Sequence, residues 1–149
     1  HACNFSREDA LKLLVDKGAD LTAVDDAGCT PMHWAMARGV LNLVKLLLDA
    51  KVPLDVTNKS GSTPMHMAAN NGSVSCMERA LTAGARPNPQ DDQGNTPLHV
   101  AAMAGFPTAC RAMMKRGADA SIKNKAGLTP LEAASDESTK EMIEKLLAK

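Results

Sequence analysis

One heptapeptide recurs along the chain at a fixed interval. Its clearest copy is Thr96-Pro97-Leu98-His99-Val100-Ala101-Ala102, and two earlier copies begin at Thr30 and Thr63. A fourth copy begins at Thr129 but has Glu132 where the other three have histidine. The threonines at 30, 63, 96 and 129 are therefore 33 residues apart, without insertion or deletion. A strict period of this length predicts a row of similar structural units rather than one closed globular core.

Each unit can be divided into a turn, two helices and a loop. In the third unit, Asp91-Asp92-Gln93-Gly94 predicts a tight turn, Thr96 an N-cap and Pro97 the first helical residue. A broader apolar face at helical spacing follows in each unit and is clearest over residues 41–48. With its T-P-L-H-x-A-A core and its 33-residue period, the chain resembles the ankyrin-repeat family along nearly its whole length. The resemblance implies an all-α solenoid of stacked helix-turn-helix units joined by β-turn or hairpin fingers.

The register of the repeat predicts a single domain over residues 1–149. The expected units are a partial repeat over 1–24, full repeats over 25–57, 58–90 and 91–123, and a C-terminal capping repeat over 124–149. The first unit is predicted to be partial because superposition by 33 residues places His1 opposite Trp34. The last unit should bury Met142, Ile143, Leu146 and Leu147 and turn its charges outward, as a terminal repeat requires.

Composition argues against several classes of function. The 17 basic and 17 acidic residues cancel, so no attraction to phosphate backbones or anionic lipid is expected. Aromatic residues make up only 2% of the chain, which leaves no platform for base stacking. No apolar run is long enough to predict insertion into a membrane. Four cysteines without a CxxC pair, and a start without the apolar core of a signal peptide, indicate an intracellular protein, cytoplasmic or nuclear.

The recurring histidines are the first candidates for chemistry: His33, His66 and His99. Stacked helices lie roughly 8–10 Å apart, whereas the ligands of one zinc ion each lie about 2.0–2.1 Å from it. Equivalent residues of successive units therefore cannot share an ion. In the ankyrin family this histidine ties adjacent loops together, and the resemblance implies the same role here.

Other candidates for catalysis are equally weak. Cys29 has no histidine and carboxylate that can be placed beside it, and it matches Ser62, Asn95 and Leu128 in a position expected at the surface. The carboxylate pairs at 25–26 and 91–92 are expected on exposed turns, where their pKa values have little reason to move. No loop resembles a phosphate-binding glycine motif. The sequence therefore predicts no enzyme, no metal and no cofactor.

Trp34 is the only tryptophan and follows the first of these histidines. The same position holds Met67 and Val100 in the next two units, so packing in the core is predicted. The alternative is an anchor at a protein interface, a role in which tryptophan is enriched.

The units differ from one another at the turn tips, at the residue before each threonine and at the end of the first helix. In ankyrin-repeat proteins these positions line the concave groove that binds other proteins. By this resemblance the partner-binding residues are Asp26, Ala27, Cys29, Arg38, Lys59, Ser60, Ser62, Asn70, Asn71, Asp92, Gln93, Asn95, Met103, Lys125 and Leu128.

Two features of this set suggest what a partner could contact. The turn tips alternate in charge along the chain, which fits either ordinary solvated turns or a partner with complementary charges. Met103 and Leu128 are the apolar members and the candidate anchors. The predicted function is a monomeric protein–protein interaction module whose partner is another protein, without a small-molecule substrate. The alternative is a structural scaffold or spacer segment of a larger multidomain protein, and nucleic-acid binding is a weaker third.

Overall fold

The structure, a computed structural model, describes residues 24–148. Within that range the chain forms eight α-helices and no strand. The helices are α1 Pro31–Arg38, α2 Leu41–Asp49, α3 Pro64–Asn71, α4 Val74–Thr82, α5 Pro97–Met103, α6 Pro107–Lys115, α7 Pro130–Ala133 and α8 Glu137–Leu147. The prediction of an all-α repeat fold is confirmed. The partial repeat expected over residues 1–24 lies outside the described residues, apart from Val24.

The helices are arranged in two parallel rows. The first helix of each unit packs against the first helix of the next, in the order α1, α3, α5 and α7. The second helices form the other row, in the order α2, α4, α6 and α8, and each also packs against its own first helix. The core between the rows is continuous from unit to unit and includes Met32, Leu43, Met65, Leu98 and Ile143, all at most 1% exposed. None of the helices described is long and apolar enough to cross a membrane.

Small side chains allow the first helices to lie close together. Ala35, Ala68 and Ala101 are completely buried where these helices meet. Each first helix begins with a threonine N-cap followed by proline, as the sequence predicts. Gly39 ends α1 in the left-handed conformation at φ 69°, which glycine adopts without strain.

The loop after the second helix contains a position that requires positive φ. Gly84 has φ 108° after α4, and Gly117 has φ 99° after α6. The equivalent residue after α2 is Lys51, at φ 60°, and it is the one non-glycine residue with positive φ in residues 24–148. Lysine in place of glycine at this position therefore leaves the fold intact but adopts a conformation that costs it energy.

The last unit is shorter in its first helix and longer in its second. Ile143 is fully buried as predicted, but Leu147 is 52% exposed, so the prediction that it packs in the core is wrong. Leu147 is the last residue of α8. The Oγ1 atom of Thr139 is buried there without a hydrogen-bond partner.

Candidate functional site

Each first helix is preceded by a tight turn, called a finger here, over residues 25–29, 58–62, 91–95 and 124–128. In the first finger the Oδ1 atom of Asp25 accepts hydrogen bonds from the backbone N–H groups of Ala27 and Cys29, both at 2.9 Å. The side-chain oxygens of Asn58, Asp91 and Asn124 hold the later fingers in the same way. The first residue of every finger is therefore committed to folding the turn.

Neighbouring fingers are joined through their backbones. The N–H groups of Lys59, Asp92 and Lys125 donate to the carbonyl oxygens of Ala27, Ser60 and Gln93, each at 3.0 Å. The approach is so close that a Cβ atom added at Gly94 would lie 2.7 Å from the backbone nitrogen of Lys125. The fingers thus form one row whose backbone positions are fixed by contacts between units.

The recurring histidines clasp each unit to the next. His33 Nδ1 lies 3.1 Å from the backbone nitrogen of Thr30, and its Nε2 lies 2.9 Å from the carbonyl oxygen of Ser62 in the following finger. The two later histidines repeat this arrangement, His66 with Thr63 and Asn95, and His99 with Thr96 and Leu128. The expected role of these histidines in tying adjacent loops together is confirmed by these contacts.

The geometry fixes the protonation of these rings. A backbone N–H can only donate, so Nδ1 must accept and carries no proton. The ring is then the neutral tautomer with its proton on Nε2, which donates to the carbonyl oxygen of the next finger. Burial is the main reason why the pKa values of the three histidines are lowered: His33, His66 and His99. Both ring nitrogens are therefore occupied by structural hydrogen bonds and are not free to bind a metal.

Glu132 occupies the histidine position in the last unit and makes the contact with its own threonine, but not the contact with a following finger. Its Oε1 atom accepts a hydrogen bond from the backbone N–H of Thr129 at 3.0 Å, which closes the same capping box. This backbone hydrogen bond is the main reason why the pKa of Glu132 is lowered. A carboxylate has no N–H to donate forward, so the row of clasps ends at this residue.

The prediction that Trp34 packs in the core is wrong. Its side chain is half-buried, and its indole N–H donates to the Oδ2 atom of Asp25 at 2.8 Å, in exposed surroundings. Met67 and Val100, at the same position, are also half-buried. The hydrogen bond from Trp34 places this side of α1 beside the first finger. Arg38 lies one turn further along α1 on that side.

Twelve of the fifteen residues predicted to bind a partner are exposed. These twelve residues are called the finger face below: Asp26, Ala27, Arg38, Lys59, Ser60, Asn70, Asn71, Asp92, Gln93, Met103, Lys125 and Leu128. Met103 is 47% exposed and Leu128 is 37% exposed, so both present apolar surface to the solvent. Ser62 is half-buried and contributes its carbonyl oxygen to the clasp of His33.

The two remaining predicted residues are buried, so the prediction that they lie at the surface is wrong. Cys29 is 5% exposed and Asn95 is 9% exposed. The finger that follows covers each of them, with the Nδ2 atom of Asn58 3.4 Å from Cys29 Sγ and that of Asn124 2.9 Å from Asn95 Oδ1. Both side chains are therefore contacts between units and cannot meet a partner.

The expectation of unshifted carboxylates is wrong for Asp25. The backbone N–H of Cys29 is the main reason why the pKa of Asp25 is lowered, and the indole N–H of Trp34 acts in the same direction. Because Asp25 both folds its finger and holds the indole, its carboxylate is not available to a partner or a substrate.

The cysteine thiols and the side chains of types that ligate metals are not arranged for catalysis or metal binding in the part of the chain that the structure describes. Cys29, Cys76 and Cys110 are free thiols with buried side chains. Burial raises the pKa of Cys110 to about 12, and it also raises the pKa of Cys76, so neither is a thiolate near neutral pH. Within residues 24–148, no three side chains of the types that ligate metals lie together in a possible metal site.

The two rows of helices, the stacked fingers and the histidine clasps define a helical repeat protein of the solenoid class. A family model described as "Ankyrin repeats (3 copies)" matches residues 1–91 and again residues 65–149. The chain therefore belongs to the ankyrin-repeat family, and the predicted resemblance is confirmed. Ankyrin repeats are in general protein–protein interaction modules. A search of curated proteins found no match to this chain.

Proposed function

We propose that this chain is a non-catalytic interaction module that binds a partner protein through the finger face. The observation that carries the proposal is that, within each finger, one set of groups stabilises the turn and a different set of side chains is exposed to solvent. The same hydrogen bonds recur from finger to finger, whereas the exposed side chains on those fingers change from unit to unit. A fixed backbone that presents different side chains is suited to recognition, because little conformational entropy is lost on binding.

Met103 and Leu128 are the proposed apolar anchors. Met103 lies one helical turn beyond His99, and the ring of His99 bonds the carbonyl oxygen of Leu128 at 2.8 Å. Leu128 therefore lies beside the first turn of α5, and Met103 lies at the other end of that short helix. Burying exposed apolar side chains of this size stabilises an interface by roughly 1.5–3 kcal/mol each when burial is complete.

The half-buried residues between fingers and helix ends support the same face. Trp34, Met67 and Val100 occupy equivalent half-buried positions of α1, α3 and α5. We propose that their accessible parts form an apolar floor beneath the tips. Polar and charged tips around an apolar floor resemble the rim and core of protein interfaces. We further propose that the module acts as a monomer inside the cell, where its buried cysteines stay reduced.

The test compares two double variants that add the same charge on different faces. Met103→Glu with Leu128→Glu alters the finger face, and Ser75→Glu with Thr108→Glu alters exposed positions of the second helices. The immobilised module and each variant are used to capture proteins from an extract of the source cells, with quantitative mass spectrometry as the readout. Circular dichroism verifies that helical content is unchanged.

A specific partner should be retained by the control variant and lost from the finger-face variant. Binding of that partner, once purified, should weaken at least tenfold in the same variant, as expected when about 1.4 kcal/mol or more is lost. Capture that is equal in all three proteins would contradict the proposal and favour the spacer alternative.

A further inference from the structure

The four fingers carry one charged residue each at an equivalent position. These residues are Asp26, Lys59, Asp92 and Lys125, and their numbers differ by 33 in every case. Their charges alternate strictly from negative to positive along the stack, and all four side chains are exposed. Within residues 24–148 none of the four forms an ion pair within 4.0 Å.

The backbone that carries these charges is held by hydrogen bonds between fingers, whereas in the described part of the chain the charged side chains make no hydrogen bond that stabilises the fold. Lys59, Asp92 and Lys125 each use only the backbone N–H to join the preceding finger. The other charged residue of each acidic pair is already committed, since Asp25 and Asp91 close their turns with their carboxylates. The tips therefore present a row of charges that folding does not neutralise.

The spacing of this row matches a particular conformation of polypeptide. Stacked helices, and with them equivalent finger positions, repeat at about 8–10 Å. A polyproline II helix has three residues per turn and rises about 3.1 Å per residue, so every third side chain returns to the same face after about 9.3 Å. A β-strand turns successive third residues to opposite faces and does not meet this condition.

We propose that the finger row recognises a short polyproline II segment of the partner that carries oppositely alternating charges at every third residue. A basic residue of that segment faces Asp26, an acidic residue faces Lys59, and the pattern repeats at Asp92 and Lys125. The inference rests on the proposed function and names the chemistry of its partner.

An α-helical partner would need a longer ordered segment for the same contacts. Charges seven residues apart on an α-helix are separated by about 10.5 Å, so four fingers would span about 22 residues rather than about ten. Exposed ion pairs are individually weak and gain little against the entropy of ordering a long segment. A proline-rich segment is already ordered before it binds, which favours the shorter partner.

Synthetic peptides can test the charge spacing without knowledge of the natural partner. The alternating peptide is Lys-Pro-Pro-Glu-Pro-Pro-Lys-Pro-Pro-Glu, tested together with its reversed sequence because the direction of binding is open. The control, Lys-Pro-Pro-Lys-Pro-Pro-Glu-Pro-Pro-Glu, is also tested together with its reversed sequence. Both controls have the same composition and net charge as the alternating peptides but can match only two of the four fingers in either direction. Fluorescence anisotropy of labelled peptides measures binding at low salt, because screening acts over about 10 Å at 0.1 M.

The matched variant exchanges the two central charges, Lys59→Glu together with Asp92→Lys. Net charge is unchanged, and the backbone hydrogen bonds between fingers do not involve the exchanged side chains. The unaltered module should prefer one of the alternating peptides over both controls by about tenfold, and the variant should prefer one of the two controls over both alternating peptides by a similar factor. Added salt should remove both preferences, and thermal unfolding verifies that the variant is folded.

Two results would overturn the inference. One is the absence of any preference in the unaltered module, including the case in which no peptide binds. The other is a preference that does not reverse in the exchanged variant. A natural partner that is captured normally and depends on Met103 and Leu128 would then leave the proposed function standing, with a different chemistry of recognition.

Discussion

Replacement of Gly94 by alanine should destabilise the domain far more than replacement of Gly127. Both glycines are the fourth residue of their finger and have nearly the same backbone angle, φ 77° and φ 80°. They differ in what a new methyl group would meet. A Cβ atom at residue 94 would lie 2.7 Å from the backbone nitrogen of Lys125, whereas nothing lies within 4 Å of one at residue 127. Comparing the two variants therefore separates the cost of backbone strain within one turn from the cost of a steric clash between two turns.

The size of the difference follows from the contacts. Either alanine costs about 1–2 kcal/mol because a residue with a Cβ is strained at positive φ. At residue 94 the fingers must also move apart, and overpacking of this kind costs about 1–3 kcal/mol. The separation weakens the hydrogen bond from Lys125 to Gln93, which contributes about 0.5–1.5 kcal/mol. Gly94→Ala should therefore lower the free energy of unfolding by about 1.5–4.5 kcal/mol more than Gly127→Ala.

Urea unfolding followed by circular dichroism measures this difference. The fluorescence of Trp34, far along the chain from both substitutions, reports whether the stack still unfolds as one unit. A midpoint that falls much further for Gly94→Ala, with coincident transitions by both probes, is the expected result. Equal destabilisation by the two variants would refute the view that backbone contacts between fingers hold the row together.

The helix ends and the clasps provide two further predictions. Lys51→Gly should raise the free energy of unfolding by about 0.5–1 kcal/mol, because relief of the positive φ outweighs the greater freedom of glycine when unfolded; an unchanged or lower urea midpoint would contradict this. Stability should also fall as the pH drops below 6.5, the ordinary pKa of histidine. The pKa values of His33, His66 and His99 are lowered in the folded protein, so these side chains bind protons at a higher pH in the unfolded chain than in the folded one. Thermal midpoints between neutral pH and about pH 5, above the range where carboxylates titrate, check this, and a constant midpoint would contradict it.

The elements that repeat could be predicted because their signals are local. Threonine, proline and histidine at the start of each first helix form contacts within three residues, and the 33-residue period shows that they recur. The forward contact of each histidine follows from the family resemblance, and the structure confirms it.

The errors in the predicted site concern contacts that cross from one unit to the next. Cys29 and Asn95 occupy a position that varies in the sequence, which suggested a free surface. The amides of Asn58 and Asn124, each 29 residues further along, cover them in the folded chain. Leu128 occupies the same position in the last finger described and remains 37% exposed. Variation at this position therefore does not indicate a free surface, because the next finger decides whether the side chain is covered, and the repeat pattern alone does not contain that contact.

The acidic pairs illustrate how the stack separates residues that look equivalent in sequence. Asp91 and Asp92 are neighbours of the same type, but the first carboxylate accepts two backbone hydrogen bonds within its finger and the second accepts none. Substitution of the first should therefore perturb the fold, whereas the charge of the second can be changed at little cost to it. The finger position that folding leaves unused is also the position at which charge alternates along the row. The charges at the tips can therefore be exchanged without changing the scaffold, and we expect such an exchange to change recognition if the proposed role of the finger row is right.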